Sequence, residues 1–175
     1  MEHEHPSTSE LLEEAPPTGI FNLEKLPPKY LISLMEALYE AGSPKEEPSA
    51  GDHTAGEVGW IVEQDLEALA KTSPDKAQEL YNAIIKSGVN WSKQVAVDVL
   101  AEPLAKHYTE TGETEKRREV IERWVSLLDD KNDEVREAVE LSFRMLLEDE
   151  PEWLDEPTAW EIVGEMKLRE ESRRD

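Results

Sequence analysis

The stretch Leu127-Leu128-Asp129-Asp130-Lys131-Asn132-Asp133-Glu134-Val135-Arg136 constrains this chain more than any other. An apolar pair closes one helix-period pattern, acidic and polar residues make a tight turn, and Val135 opens a second pattern. Upstream, Val120, Ile121, Trp124, Val125 and Leu128 share one side of a helix over about Glu115–Leu128. Downstream, Val135, Ala138, Val139, Ser142 and Leu146 line one face of a helix over about Asp133–Leu147, and Phe143 and Leu147 widen it. Apolar residues at i, i+3, i+4 and i+7 on both sides of a polar turn specify two amphipathic helices with a short connection.

The rest of the chain repeats that plan. Pro27-Pro28 opens a helix that Gly42 closes, with Leu31, Leu34, Met35 and Leu38 on its buried face. A second helix runs from about Glu57 to Lys71 with Val58, Val62, Leu66 and Leu69 inward. Ser73-Pro74-Asp75 combines a cap, a proline at the first helical position and an acid in the first turn, and Gly88 ends the helix it starts. Ala77, Leu80, Tyr81, Ile84 and Ile85 are its inward set. The next helix begins near Trp91 and continues towards Thr109. It contains Pro103, which predicts a kink or break about one turn earlier. A last helix over about Pro157–Glu171, capped by Asp155, is expected to bury Trp160, Val163 and Met166, with Ile162 beside them. Pro-, Glu- and Ser-rich residues 1–26 read as a mostly disordered arm with Leu23 and Leu26 docking at its end. Residues 42–55 read as a flexible insertion, and 173–175 as a frayed tail. With no strand-like alternation, the expectation is one all-α domain over 27–172 with about seven helices.

Helix starts near 74, 115 and 157, and near 91 and 133, recur at spacings of 41 and 42, within the period of about 40–47 residues of two-helix HEAT and armadillo units. The motif Leu127-Leu128-x-Asp130-x-x-x-x-Val135-Arg136-x-Ala138 resembles the turn of the HEAT-like α-solenoid repeat family. That resemblance implies antiparallel helix pairs stacked into a right-handed solenoid, with Leu128 and Val135 as apolar turn positions and Asp130 and Arg136 bridging neighbouring turns. The unit over 74–110 departs from it, with Ser87 for the acid and Ala96 for the arginine. An irregular helical bundle is the alternative.

With 19 basic and 41 acidic residues the net charge is −22, which repels nucleic-acid backbones and anionic membranes and attracts basic partners. The same charge serves solubility or salt adaptation. With no cysteine, disulfides, thiolate nucleophiles and thiolate metal sites are excluded. No stretch approaches the roughly 18 apolar residues of a membrane span, and acidic Met1–Pro6 is unlike a signal peptide. A cytoplasmic protein is expected.

Candidate chemistry is sparse. His3, behind a free α-amine and two amides, has the donor count for Cu²⁺ or Ni²⁺, with an incidental tail as the plainer account. Glu102, His107 and Tyr108 share a helix and define the pocket an enzyme would need, against an ordinary Glu102–Lys106 pair and a packed tyrosine. The acids of 129–134 lack the glycine and the terminal glutamate of a calcium loop. Neither a phosphate-binding glycine loop nor a His-Glu-x-x-His pattern occurs, so no cofactor or metal is expected. Lys116, Arg117, Arg118 and Arg123 interleave with glutamates as a salt-bridged face. Trp124 and Trp160 fall on core stripes. Trp91, at a helix start, and Trp153, in a loop, are the expected exposed interface anchors. Three functions follow in order. The first is a non-catalytic module binding a basic protein. The second is a small acidic inhibitor, such as an immunity protein or nucleic-acid mimic, and the third is an enzyme with a pocket near His107.

Overall fold

Proline at positions 27 and 28 removes the N–H at the first helical position, where it would have no partner in the helix, and the Tyr30 and Leu31 amides bond the Pro27 carbonyl at 3.0 and 3.3 Å. From there a computed structural model describes residues 22–42 and 50–174, and the side chains of 22–41 and 57–173. Seven helices and no strand are present among the described residues. They are α1 (Pro28–Gly42), α2 (Ala50–Thr72), α3 (Pro74–Ser87), α4, α5 (Thr114–Ser126), α6 (Asp133–Asp149) and α7 (Glu156–Arg174). Helix α4 runs unbroken through Trp91–Val95, a π-helical segment Ala96–Ala101, and Glu102–Thr111, with helical dihedrals at each junction.

The π segment is the form taken by the disturbance expected upstream of Pro103. A proline lacks an N–H and its ring collides with the carbonyl four residues earlier. Widening the turn over Ala96–Ala101 relieves that collision without breaking the rod. The segment is also the centre of the packing, touching α2, α3, α5 and α6. Its Ala96, Val97, Leu100 and Ala101 are all buried. Around it α1 packs on α2 and α3, α3 packs on α5, and α6 packs on α7. The core is continuous from Leu23 and Leu31 through Leu66, Tyr81 and Leu104 to Trp124 and Phe143, whose rings stack at 4.8 Å.

Four polar contacts between helices fall at sequence offsets of 40 and 41. Lys116 pairs with Asp75 at 2.9 Å and Gln78 donates to Glu119 at 2.9 Å, each across 41 residues. Arg117 donates to Thr158 across another 41, and Arg169 to Asp129 across 40. Residues of α3 thus meet α5, and α5 with the turn after it meets the segment around α7.

The structure differs from the sequence expectations in three places. Helix α2 begins at Ala50, so the flexible insertion expected over 42–55 is helical from 50 onward. Gly51, Asp52, Thr54 and Gly56 are weak helix formers and read as loop, but Val62 and Leu66 anchor the helix in the core and tertiary packing overrides propensity. The frayed tail is likewise helical to Arg174, where Arg173 pairs with Glu140. In α7 the buried residues are Thr158 and Ile162, while Trp160 is 65 % exposed. Ala159, Ile162, Val163 and Met166, at i, i+3, i+4 and i+7, make the inward stripe, and Trp160 lies off it. Arg117 on Thr158 and Arg169 on Asp129 hold the same face. Leu23 is buried and Leu26 packs on the core. The arm over 1–21, with His3, lies outside the described residues, as do residues 43–49 and the side chain of His53.

Candidate functional site

Gln94, Asp98 and Glu102 stand at i, i+4 and i+8 on α4, and Ala138, Leu141, Ser142, Met145 and Asp149 follow the same period on α6. These two stripes face each other across a groove of about 380 Å³, floored by Trp124, Val97 and Leu146. The floor is core: Trp124 is 1 % exposed and stacks on Phe143. Its indole N–H finds no acceptor among the described residues. The walls are not. Leu141 is 58 % and Met145 55 % exposed, both off the buried stripe Val135, Val139, Phe143 and Leu146.

Every charged residue lining this groove is an acid: Asp98, Glu102 and Asp149. None forms a salt bridge among the described residues, and the Glu102–Lys106 pair expected from spacing does not form. Glu102 instead lies 3.4 Å from the Trp153 indole nitrogen. Asp98 rides on the π segment, open to solvent along one edge, yet the protein packed around its carboxyl raises it above the ordinary aspartate value. Beside it on α2, burial and then the Asp98 charge push the Glu63 carboxyl up to about 7. The groove thus concentrates negative charge that nothing inside the described protein neutralises.

The end of the groove at the helix starts is fixed by two acidic clamps. Glu36 on α1 accepts from the Val89, Asn90 and Ser92 amides, at 3.1–3.2 Å, and from the Ser92 hydroxyl, capping α4 from another helix. Burial raises the Glu36 carboxyl, but these bonds outweigh it and leave the group lowered. Glu134 on α6 accepts from the Asn90 side chain at 2.8 Å and from the Tyr39 hydroxyl at 2.9 Å, tying the two helix starts together.

The repeat-turn residues sit at this same end. Leu128 and Val135 are buried. Asp130 accepts from the Asn132 amide at 2.9 Å and from Lys93 at the start of α4, so it ties its turn to α4. Arg136 stays within its own turn, on the Asp130 carbonyl and on Asp133.

The tryptophans exchange roles relative to the sequence reading. Trp153 is only 7 % exposed. Trp91 is half-buried, stacked on Tyr39 with ring centroids 6.4 Å apart, and closes on Gly59 so tightly that a β-carbon there would stand 2.8 Å from its ring. Neither offers the exposed indole expected of an anchor, because each covers a seam between helices. The exposed indole is that of Trp160.

His107 and Tyr108 do not join Glu102. The Tyr108 hydroxyl is buried against α3, donating within 3.0 Å of Gln78, and burial raises its pKa. His107 is half-buried with its ring edge-on to Tyr108 at 5.3 Å. The basic run is internally paired, Lys116 with Asp75 and Glu113, Arg117 with Asp155, Arg118 with Glu115 and Arg123 with Glu119. Among the described residues no group of three His, Asp or Glu side chains is placed to hold a metal ion. None of the described helices is long and apolar enough to cross a membrane.

Sequence reasoning did not find the groove. Its signal was present in Leu141 and Met145, two large apolar residues four apart that fit no inward stripe. No protein-family model, no curated protein and no solved structure matches the chain.

Proposed function

We propose that this chain is a non-catalytic, HEAT-like helical-repeat module that binds a basic protein through the face carrying the α4/α6 groove. The observation that carries the reading is that groove, where large apolar side chains stand exposed among charges of one sign. Exposed apolar surface ringed by polar groups is characteristic of interaction sites. The unpaired acids favour a cationic partner in orientation and association rate. The repeat reading, with antiparallel pairs stacked in a solenoid, is supported by the side-chain contacts recurring at offsets of 40 and 41. It is supported too by packing of α1 on α3, α3 on α5, α2 on α4 and α4 on α6. Such stacks present extended binding faces.

The test is affinity capture from native extract with the tagged chain, washed at low and then at high salt. A stoichiometric basic protein released by salt is the expected result. Capture of nothing, or of a partner indifferent to salt, would sink the reading. A captured nuclease or toxin neutralised at one-to-one stoichiometry would assign the inhibitor role to the same face.

A further inference from the structure

The α4/α6 groove is bounded by two helices, whose backbone groups bond along their own helix except where Pro103 supplies no N–H. An extended peptide laid there would find no sheet edge, since the described residues contain no strand. Its amides and carbonyls would meet only the side chains of Gln94 and Ser142 among neutral polar groups. Backbone polar groups removed from water need partners. A helix brings its own, and so it is the form of segment this groove can bury at least expense. The lengths agree: Ala138 to Asp149 spans about 17 Å, or roughly three turns of an incoming helix.

Charge selects the occupant. Residues 1–21 of this chain carry Glu2, Glu4, Glu10, Glu13 and Glu14 with no lysine or arginine, so the chain's own N-terminal arm would be repelled. A second copy brings another −22, and two arginines of its α7 are already engaged, Arg169 by Asp129 and Arg173 by Glu140. A cationic segment from another protein meets neither objection.

We infer that the α4/α6 groove receives a cationic amphipathic helix of the partner protein, its apolar face on Leu141 and Met145 and its lysines or arginines at Asp98, Glu102 and Asp149. The inference rests on the reading of the chain as an interaction module and assigns the partner's binding element. Asp98 and Glu102, one turn apart, are matched by two basic residues spaced i, i+4 on the partner. Leu141 and Met145, also one turn apart, are matched by an apolar stripe.

The experiment uses the full chain and a fluorescent, amidated peptide of ~18 leucine, alanine and lysine residues patterned as one apolar and one basic helical face. A second peptide, otherwise identical, carries two central prolines in place of alanines, and so cannot form the helix. Anisotropy titrations at roughly 50 mM salt should give saturable binding of the first peptide, weakened several-fold at roughly 500 mM. Helical circular dichroism should rise on binding. Leu141→Ala with Met145→Ala should weaken it at least about tenfold, and Asp98→Asn with Glu102→Gln should weaken it less and flatten its salt dependence. All four positions keep solvent contact, so the variants should fold. Leu168→Ala on α7, where the leucine is 60 % exposed and as open as Leu141, should change nothing.

Equal binding by the Leu141/Met145 double variant would overturn the groove assignment while leaving the interaction reading intact. Equal binding of the proline peptide would overturn the helical form of the occupant. No binding of any basic peptide at low salt overturns the inference outright. In that case the capture experiment still decides the broader reading, because a basic protein retained by the chain would then dock elsewhere.

Discussion

Helix α6 has a groove on each flank, and the two are chemical opposites. On the α4 side Asp98, Glu102 and Asp149 stand without a cation among the lining residues. On the α7 side, around a groove of about 240 Å³, Glu140 is shared by Arg144 and Arg173, while Lys167 and Glu170 add one charge of each sign. Nearby, Arg169 reaches Asp129 and Glu165. The α7 seam is closed by its own ion pairs and asks nothing of a partner. On the α4 side burial raises the Asp98 carboxyl, and burial followed by the Asp98 charge raises Glu63, so an incoming cation would find carboxylates that no lining cation stabilises. Two seams of one architecture thus differ in whether their electrostatics are satisfied internally.

The comparison is broken hardest at the floor of the α4 groove. Trp124→Ala deletes a buried ring stacked on Phe143, and changes of that kind cost about 3–5 kcal/mol. The urea midpoint should fall accordingly. A loss under about 1 kcal/mol would mean that α5 and α6 are not joined through this ring pair.

Next comes the clamp that fixes the start of α4. Glu36→Ala strands three amides and a hydroxyl, and about 2 kcal/mol should be lost at neutral pH. Because the folded Glu36 carboxyl is lowered, its contribution is present above the unfolded glutamate value of 4.5 and disappears as pH falls through the folded value. Wild type and variant should therefore converge in acid. A gap that stays constant down to the acid transition would show that the carboxylate charge is not what caps α4.

Glu63→Gln sharpens the contrast in the opposite direction. With the folded carboxyl raised to about 7, stability falls as pH climbs from 4.5 through 7, because the unfolded chain ionises first. The glutamine variant should match wild type near pH 4 and exceed it above pH 7. The gain is on the order of 1 kcal/mol, well below the full linkage value because Glu63 retains solvent contact. Thermal melts across that range decide it, and a gain that persists in acid would assign the effect to packing instead of charge.

Much of this fold is legible in the sequence, and the reason is local. Pro74, Gly88 and Asn132 act on their own neighbours, and α3 runs over Pro74–Ser87 as those signals require. Asn132 likewise accepts the Glu134 amide at 2.9 Å to start α6. What the sequence conceals is set by distant partners. Glu36 caps a helix 54 residues away from it, an arrangement that no local motif encodes. Trp160 and Ile162 are equally apolar two residues apart, and the packing of Ile162 and Met166 on the core decides which of them faces inward. The groove was hidden for a related reason. Its acids are indistinguishable among the 41 of the chain until the fold shows which of them have cations beside them.

The smallest effect belongs to the self-satisfied seam. Arg173 is half-exposed, and Arg144 can hold Glu140 without it. Removing an exposed partner of a shared pair forfeits little Coulomb energy and releases a long side chain, so Arg173→Ala should cost no more than about 0.5 kcal/mol. Even that should vanish at high salt, where exposed pairs are screened. Urea titrations at low and high salt measure both quantities. A loss above about 1.5 kcal/mol that ignored salt would mean the α6/α7 seam is a desolvated ion-pair lock. It would then hold α7 as firmly as apolar packing holds α4, and the two flanks of α6 would differ in mechanism as well as in charge.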